Sequence, residues 1–346
     1  MASVLEFCSK NLVRSPSENS FISPQLGDWL SGHPTCSHPE NLEVADYIKN
    51  GILLKTPSQT IPVKDSALKS PTEHNTCTIN DLLKGCSKNG GYLGPFEYTG
   101  QTYALVSYTD YNNQNWVSLN KINAGLDVFR VKKEKRLMRY AGRLVANMTK
   151  NLMNDDYSFQ ERTVSMPSFQ DQVHTSKGAA FLFILDFIAA YRQLRYDCRS
   201  WGIVAFVFMN KLFIDIALSF GWGPAARCFH RFTRALLRAL TWYFPELFLE
   251  RPIAHLTLAP LTDNDNSNVP FIDDLKFVSL SSKQALAQIA VLKNLASKYN
   301  MKLDFEEPLK MIKTEAKYCG WIHNLIHQAI KFPVDKRKKL LNMLTC

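Results

Sequence analysis

The sequence predicts an α+β fold, with helices packed behind an antiparallel sheet. Three observations carry this reading. The apolar run Phe181–Leu185 ends on an acid, Asp186. The run from Val269 to Val278 is apolar and β-forming, yet two adjacent acids, Asp273 and Asp274, interrupt it. Adjacent carboxylates inside a strand are costly, and a hairpin that exposes both at its tip removes the cost. Pro224–Tyr243 is amphipathic with Pro in its first turn, which predicts a helix.

The remaining elements follow in order. The 346 residues suit one large domain or two to three ordinary ones. Hydrophobic residues are 46% and charged residues 21%, which excludes wholesale disorder. Residues 1–110 are rich in Ser, Pro, Thr, Asn and Gly, and read as an irregular, partly disordered extension with one small folded unit. Its segment His33-Pro34-Thr35-Cys36-Ser37-His38 offers only three zinc ligands in a Pro-rich stretch, and a plain loop is preferred. Ala179–Ala190 reads as a buried strand running into a helix. Trp201–Phe220 is the most apolar stretch, and a transmembrane helix is its second reading. Lys211 and Asp215 argue against that, and a turn at Asn210-Lys211 between Ile203–Met209 and Leu212–Leu218 gives a hairpin instead. Pro252–Pro270 reads as a polar inserted loop. His323 and His327 have a metal-binding helical spacing, but their surroundings look like a hairpin.

Charge points to partners. Lys plus Arg number 41 against 31 for Asp plus Glu, a net charge of +10, which favours nucleic acid or an acidic membrane surface. The excess is concentrated. Arg130–Lys150 carries eight basic residues and one acid, and Arg192–Arg238 carries eight against two. Lys331–Lys339 adds five more against one. Three such runs around an apolar centre suit a groove for a phosphate backbone. Arg227, Arg231, Arg234 and Arg238 are spaced 4, 3 and 4, so they share one helix face and could aim guanidinium groups at phosphates. The start of the chain lacks a basic, then apolar, leader pattern, and the eight cysteines show no CxxC pair. Both suggest an intracellular protein, cytoplasmic or nuclear.

One acid at a strand end and two at a hairpin tip make a ready site for Mg²⁺, which takes a few carboxylates plus phosphate oxygens. Two such ions can activate a 3′-hydroxyl and stabilise leaving pyrophosphate.

The surrounding residues resemble a known family. Asp186-Phe187-Ile188-Ala189-Ala190-Tyr191 resembles the first palm motif of reverse transcriptases. Leu218-Ser219-Phe220-Gly221 resembles their second motif, usually LPFG, and Phe271-Ile272-Asp273-Asp274 resembles the YxDD box. Tyr318-Cys319-Gly320-Trp321 resembles the primer-grip hairpin, and Phe332-Pro333-Val334-Asp335-Lys336 the lead into the thumb. The motifs keep the family order over residues 125–346, with a cadence closest to DIRS-like, tyrosine-recombinase retrotransposons. Phe271 stands for the usual Tyr and Ser219 for the usual Pro, and the gap between the second and third motifs is lengthened.

The resemblance implies a right-hand polymerase. Fingers would span 111–180 and the palm 181–332, and a short or truncated thumb would begin at 333–346. The activity implied is RNA-directed DNA synthesis on a primed RNA or DNA template, using dNTPs and two Mg²⁺ or Mn²⁺ ions. Asp186, Asp273 and Asp274 would be the metal ligands. Tyr191 would be the gate against a 2′-hydroxyl, with Phe220 and Gly221 shaping the nucleotide floor. Lys132, Lys133, Arg136 and Arg139 would clasp the triphosphate, Lys310 would protonate pyrophosphate, and Gly320 and Trp321 would touch the primer. The alternatives are a decayed reverse-transcriptase-like protein that binds nucleic acid without catalysis, and a membrane-associated protein using Trp201–Phe220.

Overall fold

The computed structural model describes residues 21–33, 38–55, 72–86, 91–97, 104–110, 113–119, 128–132, 142–146, 148, 154–164, 169–248, 269–334 and 336–337. The helices used below are α1 (Gln25–Ser31), α2 (Pro39–Asn50), α3 (Thr72–Lys84), α4 (Phe159–Arg162) and α5 (Phe169–Ser176), then α6 (Ala225–Tyr243), α7 (Pro245–Phe248), α8 (Ser282–Lys298) and α9 (Pro308–Met311). The strands are β1 (Tyr92–Glu97), β2 (Ala104–Asp110), β3 (Asn113–Leu119), β4 (Val128–Lys132), β5 (Gly142–Ala146), β6 (Phe181–Asp186) and β7 (Ala205–Phe208). They continue as β8 (Lys211–Asp215), β9 (Val269–Phe271), β10 (Asp274–Ser279), β11 (Glu315–Tyr318), β12 (Trp321–Asn324) and β13 (Ala329–Lys331). Helices and antiparallel sheets are mixed, as the α+β reading expected.

The chain forms two compact units. The first comprises Met1–Gly27, Ala45–Thr163 and Ala189–Cys228; the second comprises Asp28–Val44, Val164–Ile188 and Phe229–Cys346.

In the first unit, β8 lies between β1 and β7. The apolar stretch at its centre is the β7–β8 hairpin, buried on both faces, which is why it lacks an alternating pattern. Met209 and Asn210 form its turn with φ of 52° and 57°, the conformation of a two-residue primed turn. The turn sits one residue earlier than expected, because Lys211 pairs with Phe208. The transmembrane reading of Trp201–Phe220 is therefore corrected, and no helix among the described residues is long and apolar enough to cross a membrane.

Residues 1–110 are not merely an irregular extension. Strand β1 hydrogen-bonds β8 from Tyr92↔Asp215 to Glu97↔Lys211. Ile52 bridges Tyr196, and Ile48, Ile52 and Leu54 are buried. Short local patches concealed these long-range pairings. The β2–β3 and β4–β5 pairs are further hairpins of this unit.

In the second unit, β10 is the central strand between β6 and β9. Phe183 and Phe277 face each other in register and stack at 4.9 Å. Helix α8 is capped at its N-terminus by Ser281, whose side chain accepts from the Gln284 N–H. Its Gln288 side chain donates to the carbonyls of Leu247 and Val278, tying α7 and β10 to the helix. The apolar face of α6 is buried through Phe229, Phe232, Leu236 and Leu240. Phe187, the residue after Asp186, packs its ring edge-on against Phe229 and Phe232. β11, β12 and β13 form a separate antiparallel sheet holding the buried His323. The chain thus prefers a hairpin to a metal-binding helix at His323 and His327. The region expected as an inserted loop at Pro252 falls outside the described residues.

Candidate active site

The acidic hairpin is built as the residues suggest. β9 ends at Phe271, Ile272 and Asp273 form the turn, and β10 begins at Asp274. Asp274 pairs directly across the ladder with Asp186. Ile272 takes a left-handed φ of 60°, and its carbonyl accepts from the Thr233 hydroxyl of α6 at 3.1 Å. Tyr318 donates its hydroxyl to the Asp274 carbonyl at 3.1 Å, and the Asp304 N–H donates to the Asp186 carbonyl at 2.9 Å. The backbones of Asp186 and Asp274, and of Ile272 just before Asp273, are therefore pinned by neighbouring elements.

Their charges crowd one another. Burial, then the Asp186 and Asp273 carboxylates, push the Asp274 carboxyl up from 3.8 to about 6. Among the described residues, no three His, Cys, Asp or Glu side chains form a ready metal cluster. Hard divalent ions of the Mg²⁺ type need no such cage, because one or two carboxylates and substrate oxygens suffice. An all-oxygen, mutually repelling donor set fits such an ion. A cavity of about 150 Å³ adjoins, lined among others by Phe183, Asp186, Asp304, Glu306, Met311 and Lys313.

Beneath the hairpin lies a buried cation absent from the sequence reading. Lys276 Nζ donates to Thr175 Oγ1 at 2.9 Å, to Ser176 Oγ at 3.1 Å and to Gln172 Oε1 at 3.3 Å. Burial pulls this ammonium from 10.5 down to about 7. Ser176 Oγ also meets His323 Nδ1 at 3.0 Å. Burial, then Lys276, lower the imidazole to about 3, so it is neutral. The one signal was a lysine inside the apolar run Leu275-Lys276-Phe277.

The other expected site residues divide. Tyr191 and Phe220, both in the first unit, bring their rings to 5.1 Å. Gly221 has φ +107°, and a Cβ there would lie 1.9 Å from the Ala146 carbonyl oxygen. Local backbone packing alone therefore already requires glycine here. Gly320 follows Cys319 in the β11–β12 turn, with φ of 81° and 48° respectively. Trp321 packs against Phe332 at 5.1 Å, and a Cβ on Gly320 would stand 2.5 Å from Lys336 Nζ. A basic side chain therefore covers this turn.

Lys310 and the α6 arginines meet partners within the chain. Lys310 sits on the one-turn helix α9 and pairs with Glu307 at 2.8 Å; the lysine that lines the cavity with Asp186 is Lys313. The arginine strip on α6 is engaged by acids and a carbonyl of the chain itself. Arg231 holds Glu43, Arg238 pairs with Glu40 at 3.2 Å, and Arg234 lies 3.8 Å from Glu40. Arg238 Nε also donates to Asn41 Oδ1 at 2.7 Å, and Arg227 donates to the Gln160 carbonyl. The physical reason is that α2, within the expected extension, supplies the anions. Lys132 lies on β4. The side chain of Lys132, and Lys133, Arg136 and Arg139 entirely, lie outside the described residues.

No family model matches the chain, and no curated protein matches it. Among solved structures, it is similar to a foamy viral protease-reverse transcriptase dRH in complex with double-stranded DNA. That similarity has 13% identity and a TM-score of 0.48, and covers 92% of this chain and 48% of the other. It is also similar to a foamy viral protease-reverse transcriptase in complex with double-stranded DNA, at 13% identity and a TM-score of 0.45, covering 92% of this chain and 57% of that one. The chain therefore spans about half the length of these structures.

Proposed function

We propose that the chain is an RNA-directed DNA polymerase, adding dNTPs to a primer 3′-hydroxyl by metal-dependent nucleotidyl transfer. The observation that carries this reading is the acidic hairpin, with Asp274 opposite Asp186 and Asp273 in the turn. The ordered motifs around it support the same reading, and their cadence suits a retrotransposon of the DIRS-like type. Asp186, Asp273 and Asp274 would hold Mg²⁺ or Mn²⁺, which when bound would activate the 3′-hydroxyl and neutralise charge at the leaving pyrophosphate.

The chain's own residues position and orient. Thr233, Tyr318 and Asp304 fix the backbone of the acids, so that little reorganisation is left for the reaction. Lys313 is the cation available in the cavity beside Asp186. Tyr191, five residues after Asp186, would exclude a ribose 2′-hydroxyl by bulk. Trp321 and Lys336 suit an aromatic and cationic contact with a nucleic acid strand.

The test is primer extension on an RNA template with dNTPs, in Mg²⁺ and separately in Mn²⁺. Extension by the wild type, lost in an Asp273→Asn, Asp274→Asn double variant, is the expected result. Extension that survives in the double variant would overturn the assignment of these acids. A wild type that binds primer–template but never extends it would leave a binding scaffold in place of a polymerase.

A further inference from the structure

The turn that carries Tyr191 and the turn that carries Phe220 are tied together inside the first unit. The Leu218 N–H donates to the Leu194 carbonyl at 2.9 Å, and the Tyr196 N–H donates to the Ile216 carbonyl at 2.8 Å. Arg195 and Ala217 form an antiparallel bridge between these bonds.

A buried polar chain runs alongside. Arg192 Nη1 donates to Asp215 Oδ1 at 2.5 Å, and Nη2 donates to the Gly91 carbonyl at 2.8 Å. The Tyr92 ring lies 4.5 Å from the guanidinium carbon. On the other side, Ser219 Oγ donates to Asp215 Oδ2 at 2.8 Å. The Ser219 N–H donates to the Tyr196 hydroxyl at 3.1 Å. Asp215, Ser219 and Tyr196 are all buried.

Each end of this chain is one residue from a ring of the Tyr191–Phe220 pair. Arg192 follows Tyr191, and Ser219 precedes Phe220. Ser219 is also where this sequence departs from the LPFG pattern. Proline has neither an N–H nor a hydroxyl, so it could make neither of the two bonds that Ser219 donates here. The substitution is thus matched to Asp215 and Tyr196.

We infer that Ser219, with Tyr196 and the Arg192–Asp215 pair, forms a positioning network that sets Tyr191 against Phe220 and thereby sets sugar selectivity. The inference rests on the polymerase reading and deepens it. A hydrogen bond lost from the network loosens the ring pair, and a ribonucleotide is then admitted more readily.

The experiment is single-nucleotide addition with a dNTP and the matching rNTP, giving kcat and KM for each. Tyr191→Ala serves as the reference beside Ser219→Ala and Tyr196→Phe. Selectivity is the ratio of the two kcat/KM values, in which any loss of folded enzyme cancels. Tyr191→Ala should lower selectivity by roughly ten- to a hundredfold. Ser219→Ala and Tyr196→Phe should each lower it by about three- to tenfold, chiefly through a smaller KM for the rNTP. A fall with Tyr191→Ala but not with either network variant would overturn the positioning role alone. No change with Tyr191→Ala would overturn the gate and the network with it, and a wild type that extends neither nucleotide would overturn the polymerase reading itself.

Discussion

Replacing Asp274 by Asn keeps the side chain's shape and removes its charge. Moving a carboxyl from 3.8 to about 6 corresponds to about 3 kcal/mol against the charged form at neutral pH. Asp274 is only half-buried, and solvent screening reduces this to about 1.5 kcal/mol. The folded value lies above the unfolded one. The cost is therefore absent below pH 4, and grows as pH rises through about 6. Without divalent ions, Asp274→Asn should raise the melting temperature by roughly 3 °C at pH 7.5. At pH 5 the gain should fall to about half. The assay is thermal unfolding followed by circular dichroism at both pH values, repeated with millimolar Mg²⁺. Mg²⁺ should raise the wild-type midpoint and move the variant's less, because it removes the same repulsion. A variant less stable than wild type at pH 7.5, or a gain independent of pH, would refute the reasoning.

Other predictions follow from the same geometry. Gly221→Ala must clear the Ala146 carbonyl and adopt a left-handed φ, so the urea midpoint should fall by the equivalent of about 3 kcal/mol or more. Phe277→Ala removes a ring stacked on Phe183 and packed by Phe248, and the same measurement should show a loss of about 3–5 kcal/mol. Arg238→Ala leaves the Glu40 carboxylate nearly buried without its nearest guanidinium, at a cost of about 2–3 kcal/mol. In a fluorescence titration, the slope of log affinity for primer–template against log salt should stay unchanged in that variant, since the guanidinium meets protein rather than phosphate. His323 has a folded value below its unfolded one, so the stability it confers is lost as pH falls from about 6.5 towards 3. The wild type should lose about 2 kcal/mol between pH 7 and pH 5 through this group, and His323→Gln should lose less over the same range in urea unfolding.

The local features of the fold were legible. Asp186 at a strand end, the paired acids at a hairpin tip and the apolar face of α6 are each written in a dozen or so consecutive residues. Features requiring distant partners were not. Nothing near Arg231 or Arg238 announces that Glu43 and Glu40 will neutralise them. Lys276 was hidden because β10 is buried on both faces, so no alternation marks an inward lysine. At Gly221 the sequence could not show the carbonyl that excludes a side chain, because it belongs to Ala146 on β5, 75 residues earlier. The acids thus mark the candidate site locally, while the network behind Tyr191 joins Gly91, Arg192, Asp215 and Ser219 from separate parts of the chain.

The pairing of β1 with β8 also bears on how the protein is made. About 120 residues separate Tyr92 from its partner Asp215, so a ribosome adding 5–20 residues per second leaves β1 waiting roughly 6–24 seconds for its neighbour. During that time its backbone donors and acceptors are open to any passing strand. Yield during synthesis should thus depend on how fast translation crosses the interval between the two strands, quite apart from how stable the finished sheet is.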